Sequence, residues 1–164
     1  MIQGAIDIKR SPEAVFDFVA DERNECLFNP RMLSVSLLSD EPIGTGSRFQ
    51  AVMKTGARKT DMVIEWTAFE RPARLASVTR MRSMGIEGAL TFEPAAGGTR
   101  MSWSWEIKPR RFLRAASPIV EWMGRRQERE IWASLKEVLE APEARIPSAA
   151  GPNEQDRPSR VELP

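Results

Sequence analysis

Hydrophobic and polar positions alternate with period two through much of the chain up to about Lys108, interrupted by short turns rich in Gly, Pro and Asp. In the first segment Ile2, Ile6 and Ile8 oppose Gln3, Asp7 and Lys9, which predicts a half-buried strand. The period then changes. Ser11 reads as an N-cap, Pro12 as the first helical residue and Glu13 as an acid in the first turn. Val15, Phe16 and Val19 recur at helical spacing with Phe18 beside them, so this helix buries one face. Asp21 to Pro30 follows as a second short helix or turn, stopped by Pro30 because proline disfavours helix in the residue before it.

Strand signals resume at Leu33 to Leu38, and Asp40 to Gly46 reads as a turn. Arg48 to Lys54 places Phe49, Ala51 and Met53 on one face. A hairpin tip falls at Gly56, and Thr60 to Phe69 carries Met62, Ile64, Trp66 and Ala68 on one face. Leu75 to Arg82 has weak contrast: Leu75, Ser77, Thr79 and Met81 oppose Ala76, Val78, Arg80 and Arg82, and alternation alone leaves open which set faces inward. Ile86 to Glu93 aligns Gly88, Leu90 and Phe92. Arg100 to Lys108 is the clearest strand, with Met101, Trp103, Trp105 and Ile107 on one side. Connections this short exclude parallel crossovers, so the strands form an antiparallel meander. Ser117-Pro118 repeats the cap-then-proline signal, and the helix it starts runs to Glu140, before Pro142. Phe112 to Ala116 reads as a short separate turn. The expected organisation is one α+β domain over 1–141 and a disordered tail over 142–164, where Pro, Ser, Ala and Glu dominate.

Composition narrows the chemistry. A length of 164 residues suits a single core or a core with a cavity, and a formal net charge of +1 supplies no field for nucleic acid or an acidic membrane. No window approaches a membrane span, and the first residues enter a strand without a signal-peptide pattern, so a cytoplasmic location is the expectation. Histidine and tyrosine are absent and Cys26 is the single cysteine. Catalytic triads, His or Cys metal sites and intramolecular disulfides are thereby excluded. No cofactor is implied, and Gly44-Thr-Gly lacks the Lys-Ser/Thr that completes a phosphate loop.

The layout of strand, helix pair, meander and long final helix resembles the START/Bet v 1-like superfamily, specifically bacterial polyketide cyclase/dehydrase-type proteins. The matching stretches are Ile8 to Ala20, Asn29-Pro30, Val35 to Asp40 with Gly44 to Phe49, Phe92-Glu-Pro with Gly97 to Met101, and the last helix. The resemblance covers about residues 2–141. It departs at Phe28, where relatives often carry Trp, and in the missing Tyr and His that some enzymatic relatives use. It implies a helix-grip fold: a curved antiparallel β-sheet wrapped around a long C-terminal α-helix, with two short helices after the first strand. A cavity between sheet and helix is part of that implication.

On that fold the apolar strand faces become candidate lining. Phe49, Met53, Met62, Ile64, Trp66, Leu90, Phe92, Met101, Trp103 and Trp105 are candidate ligand contacts, with Ser77, Thr79 and Met81 if their face turns inward. Methionine adapts to ligands of variable shape and tryptophan offers flat apolar area, although both also fill ordinary cores. On the last helix Val120, Met123, Ile131, Leu135 and Val138 cluster, with Gly124, Gln127 and Ser134 among them. Small and polar groups there suit a helix facing a void, and Met123, Gln127 and Ile131 complete the candidate set. Trp122 and Trp132 lie away from that face and read as exposed unless the 110–117 segment, the tail or a second copy in a homodimer covers them. Glu65, Glu93 and Glu106 oppose the apolar faces. Arg110-Arg111 and Arg125-Arg126 read as solvated charge, and the interspersed Glu121, Glu128 and Glu130 argue against a nucleic-acid surface. Glu130, at the edge of the helix stripe, is kept as the one candidate carboxylate, and Cys26 reads as a partly buried, inert thiol. No catalytic residue or metal ligand is assigned. The favoured function is binding or transport of a small hydrophobic ligand, lipid-like or aromatic. A cyclase/dehydrase-like enzyme working by substrate positioning and a protein-interaction module are the alternatives.

Overall fold

In the computed structural model of the chain, residues 1–82, 84–109 and 117–142 are described, with side chains of the last segment from Glu128 onward. The elements in order are β1 (Ile2–Ile8), α1 (Pro12–Ala20), a 3-10 turn (Glu22–Asn24), α2 (Glu25–Phe28), β2 (Met32–Leu37), β3 (Arg48–Thr55), β4 (Arg58–Glu70), β5 (Arg74–Met81), β6 (Met84–Ala95), β7 (Gly98–Pro109) and α3 (Ser117–Glu140). All seven strands pair antiparallel in one curved sheet of order β1-β7-β6-β5-β4-β3-β2. The first strand thus closes against the last, and α1, the 3-10 turn and α2 carry the chain across to the opposite edge. This is the helix-grip α+β fold.

Local chemistry explains the breaks. Ser11 Oγ accepts from the Ala14 backbone N–H at 3.3 Å, and Pro12 starts α1 where its missing N–H costs nothing. Trp66 Nε1 donates to the Ala20 carbonyl at 3.0 Å, so a β4 side chain satisfies one of the orphan acceptors at the C-terminal end of α1. The Gly44-Thr-Gly-Ser stretch turns tightly against the same strand. Gly46, at φ +88°, donates to the Trp66 carbonyl at 2.7 Å, and Ser47 Oγ accepts from Gly44 N–H at 2.9 Å. A register shift between Trp66 and Ala68 interrupts the β4–β5 ladder, and such bulges bend a sheet.

The C-terminal end of α3 is fastened to the corner between β1 and α1. Lys9 N–H donates to Glu140 Oε1 at 2.7 Å, Arg10 Nε reaches the Leu139 carbonyl, and Lys136 Nζ reaches the Asp7 carbonyl. Thr99, fully buried, donates its hydroxyl to the Arg10 carbonyl at 2.7 Å. Here the core is dense. Phe16 lies edge-on to Phe69 and Phe92, with ring centroids 5.0 and 5.4 Å apart, among Ile8, Leu75, Met101, Leu135 and Leu139. Glycine admits an aromatic ring at Gly4: a Cβ there would overlap the Trp103 indole lying across it.

The expected elements are present; β3, β4, β6 and β7 extend beyond the alternation that marked them, and β2 and β5 each begin and end one residue earlier. The turn expected at Phe112 to Ala116 and the tail from Glu143 lie outside the described residues.

Candidate functional site

Away from that corner the sheet and helices separate and leave a cavity of about 410 Å³. Its wall runs along one end of the inner face of the sheet. Met53 and Thr55 of β3, Met62, Ile64 and Trp66 of β4, and Ser77, Thr79 and Met81 of β5 contribute, followed by Met84, Ile86 and Leu90 of β6 and Trp105 and Ile107 of β7. Ile131 and Trp132 of α3 and Phe28 of α2 form the opposite side. The inward face of β5 is therefore the Ser77, Thr79, Met81 set, whereas Arg80 points outward and pairs with Glu65 at 2.7 Å.

The candidate residues divide by position along their strands. Met53, Met62, Ile64, Trp66, Ser77, Thr79, Met81, Leu90, Trp105 and Ile131 lie on the cavity wall. Phe49, Phe92, Met101 and Trp103 share the inward faces but pack into the dense end and do not border the cavity. Met123 and Gln127, like Trp122, have side chains outside the described residues.

Three expectations are corrected. Trp132 is buried, not exposed, because α2 covers that side of α3: its ring sits 6.1 Å from Phe28 and 5.8 Å from Trp103, centroid to centroid. Glu130 is exposed, and among the described residues of α3 the carboxylate on the cavity is Glu128. Cys26 is exposed, and partial desolvation with the neighbouring Glu25 raises the thiol's pKa.

Glu128 is held by two indoles. Trp132 Nε1 donates to its Oε2 at 2.8 Å and Trp105 Nε1 to the same oxygen at 3.2 Å. Desolvation raises its pKa to about 7, opposed by the two indole donors and reinforced by the charge of Glu25. Glu22 and Glu25 border the same cavity. Burial and the nearby Glu25 push Glu22 well above the usual carboxylate range. Glu25 is raised by burial, with Asn29 and Glu22 opposing the shift through hydrogen bonds. Asn29 is itself buried: its Nδ2 donates to Glu25 Oε1 at 2.7 Å and its Oδ1 accepts from Arg31 N–H at 3.1 Å. That is the physical role of the Asn29-Pro30 pair, which fixes the exit from α2 into β2. Among the described residues, no group of three or more acidic or sulfur ligands is arranged to hold a metal ion. The arrangement is an apolar chamber with a carboxyl-bearing end, suited to enclosing a hydrophobic molecule and contacting one polar group on it.

Residues 2–140 match the family model described as polyketide cyclase / dehydrase and lipid transport. The chain belongs to this family. No curated protein sequence matches it. Among solved structures, a START superfamily protein from Mycobacterium smegmatis superposes with a TM-score of 0.73 at 11% identity, covering 85% of this chain and 96% of the other. The Zhui aromatase/cyclase from a Streptomyces species gives 0.67 at 11% identity, covering 84% and 94%. The protein TTHA0849 from Thermus thermophilus gives 0.66 at 18% identity, covering 83% and 94%. At these identities the likeness is one of fold. Among the described residues no helix is long and apolar enough to cross a membrane.

Proposed function

We propose that the chain binds or carries a small hydrophobic ligand, lipid-like or aromatic, in the chamber between the sheet and α3, without catalysing a reaction. The observation that carries this reading is the chamber itself: about 410 Å³ walled by Met53, Met62, Met81 and Met84 together with Trp66 and Trp105. Interiors of soluble domains are close-packed, and a void of this size costs the contacts its lining would otherwise make. A bound apolar molecule restores those contacts. Unbranched, polarizable methionines let one wall fit ligands of different outline.

Native mass spectrometry of the full chain purified from cells tests the reading. A retained small hydrophobic molecule is expected, lost in a Thr79→Phe variant whose ring fills the chamber. Retention unaffected by that substitution, or a chamber that takes up no aliphatic or aromatic probe at millimolar concentration, contradicts it.

A cyclase/dehydrase-like reading is favoured by one observation, a carboxyl on the chamber wall whose pKa of about 7 suits proton transfer near neutrality. Turnover of a linear polyketone thioester, abolished by Glu128→Gln in a folded protein, would establish it. Absence of turnover by the parent chain removes it.

A further inference from the structure

The polar end of the chamber is asymmetric. Both indole donors go to Glu128 Oε2, and among the described residues nothing bonds to Oε1. A carboxyl oxygen that accepts two hydrogen bonds has its lone pairs engaged, so in the neutral acid the proton sits on the other oxygen. Resting on the cavity reading above, we propose that Glu128 is the ligand's polar anchor: its Oε1 hydroxyl donates to a carbonyl or hydroxyl oxygen of a neutral hydrophobic ligand, held in position by the Trp105 and Trp132 indoles.

Two features support a neutral oxygen-bearing ligand over a charged one. Apart from the acidic groups at this end the chamber wall is largely apolar, with Ile131 one turn along α3 from Glu128 and the Trp105 and Trp132 indoles against it, and an ion there would lose much of its hydration. The clamp also fixes the carboxyl, since one oxygen tied to two rigid indoles leaves little rotational freedom to lose when a ligand binds. The charged or titratable side chains bordering this chamber, among the described residues, are Glu22 on the 3-10 turn, Glu25 on α2, Arg31 before β2 and Glu128 on α3.

The test compares naphthalenes of similar shape by titration calorimetry of the full chain: 2-acetylnaphthalene, 2-ethylnaphthalene and 2-(aminomethyl)naphthalene. One added hydrogen bond corresponds to about a tenfold gain in affinity. At pH 5.5 the ketone is expected to bind about tenfold tighter than the hydrocarbon, a preference lost at pH 8.5 as Glu128 ionises through about 7. Glu128→Gln keeps an N–H donor in place of the hydroxyl and an oxygen for the indoles, so its ketone preference persists at both pH values. Glu128→Met abolishes it at both. Titration of Glu22 and Glu25 is common to the parent and the Gln variant, so the difference between their pH profiles belongs to Glu128. The proposal is overturned by equal affinities for ketone and hydrocarbon, by a Gln variant that follows the parent's pH profile, or by tighter binding of the ammonium compound at pH 5.5. Binding of none of the probes would overturn the cavity reading as well. Hydrocarbon binding without a ketone preference would leave that reading intact and remove only the anchor.

Discussion

Toward the β1–α1 corner the inward side chains of the strands close on one another, whereas toward α2 the same faces leave a chamber. The division recurs along strand after strand. On β7, Met101 and Trp103 are packed while Trp105 and Ile107 border the void; on β5, Leu75 is packed while Ser77, Thr79 and Met81 border it. What differs is the cover. At the corner, α1 and the C-terminal end of α3 lie on the sheet and are tied to it through Arg10, Lys9 and Lys136. At the other end the cover is the short α2 and the preceding 3-10 turn, with carboxylates facing inward. Burial at one end secures the fold, and incomplete burial at the other leaves room for a ligand.

Substitutions should therefore cost different amounts at the two ends. Phe16→Ala, at the packed end, removes a fully buried ring from a three-ring cluster and should destabilise by about 3–5 kcal/mol in urea unfolding. Met81→Ala, on the chamber wall, deletes contacts that are already incomplete and should cost less than about 1.5 kcal/mol, below the usual core range. Equal costs would break the comparison.

The two ends should also respond oppositely to pH. Glu128 has a raised pKa, so in the folded state it holds a proton that the unfolded chain has already released. Its contribution to stability is then fully present below the ordinary carboxylate value and falls as pH rises through about 7, by up to about 3 kcal/mol. Glu22 and Glu25 act in the same direction. Glu140, at the packed end, has its pKa lowered by the Lys9 backbone N–H, so its contribution is present above the ordinary carboxylate value and lost as pH falls. Unfolding of Glu128→Gln followed from about pH 3 to pH 8 should show a flatter profile than the parent between the ordinary carboxylate value and about 7, with the loss below that value retained.

Gly4→Ala forces a methyl against the Trp103 indole at the packed end and should cost about 1–3 kcal/mol in the same assay. The smallest effect belongs to the surface. Removing Arg71, paired with Asp17 at 2.6 Å on exposed side chains, should leave the unfolding midpoint close to the parent's, and closer still in high salt.

Alternation of apolar and polar positions made the strands and their inward faces legible, and the Ser-Pro caps located α1 and α3. Position along a face was not legible. Phe49 and Met53 sit on one face of β3 by the same period, yet one is packed and the other borders the chamber. Which of them meets a helix depends on where α1, α2 and α3 come to rest. The same limit applies to Trp132, expected to be exposed, and to Glu130, expected to be the carboxylate nearest the cavity. A helical stripe drawn through Ile131 and Leu135 treats neighbours as solvent-facing, but α2 covers that flank of α3. A signal was available: Glu128, Ile131, Trp132, Leu135 and Leu139 recur at three- and four-residue spacing, which describes a stripe wide enough for two contacts. Within such a stripe Glu128, beside a tryptophan, is a better candidate for the cavity than Glu130 at its edge.

The division between a packed end and a ligand-holding end is tested most directly by labelling the methionine methyl groups and titrating the full chain with 2-ethylnaphthalene under NMR observation. Signals of Met53, Met62, Met81 and Met84, on the chamber wall, should shift in a saturable manner while that of Met101 stays in place. A shift of Met101 as large as theirs, or no saturable shift at any of the four, would contradict the account.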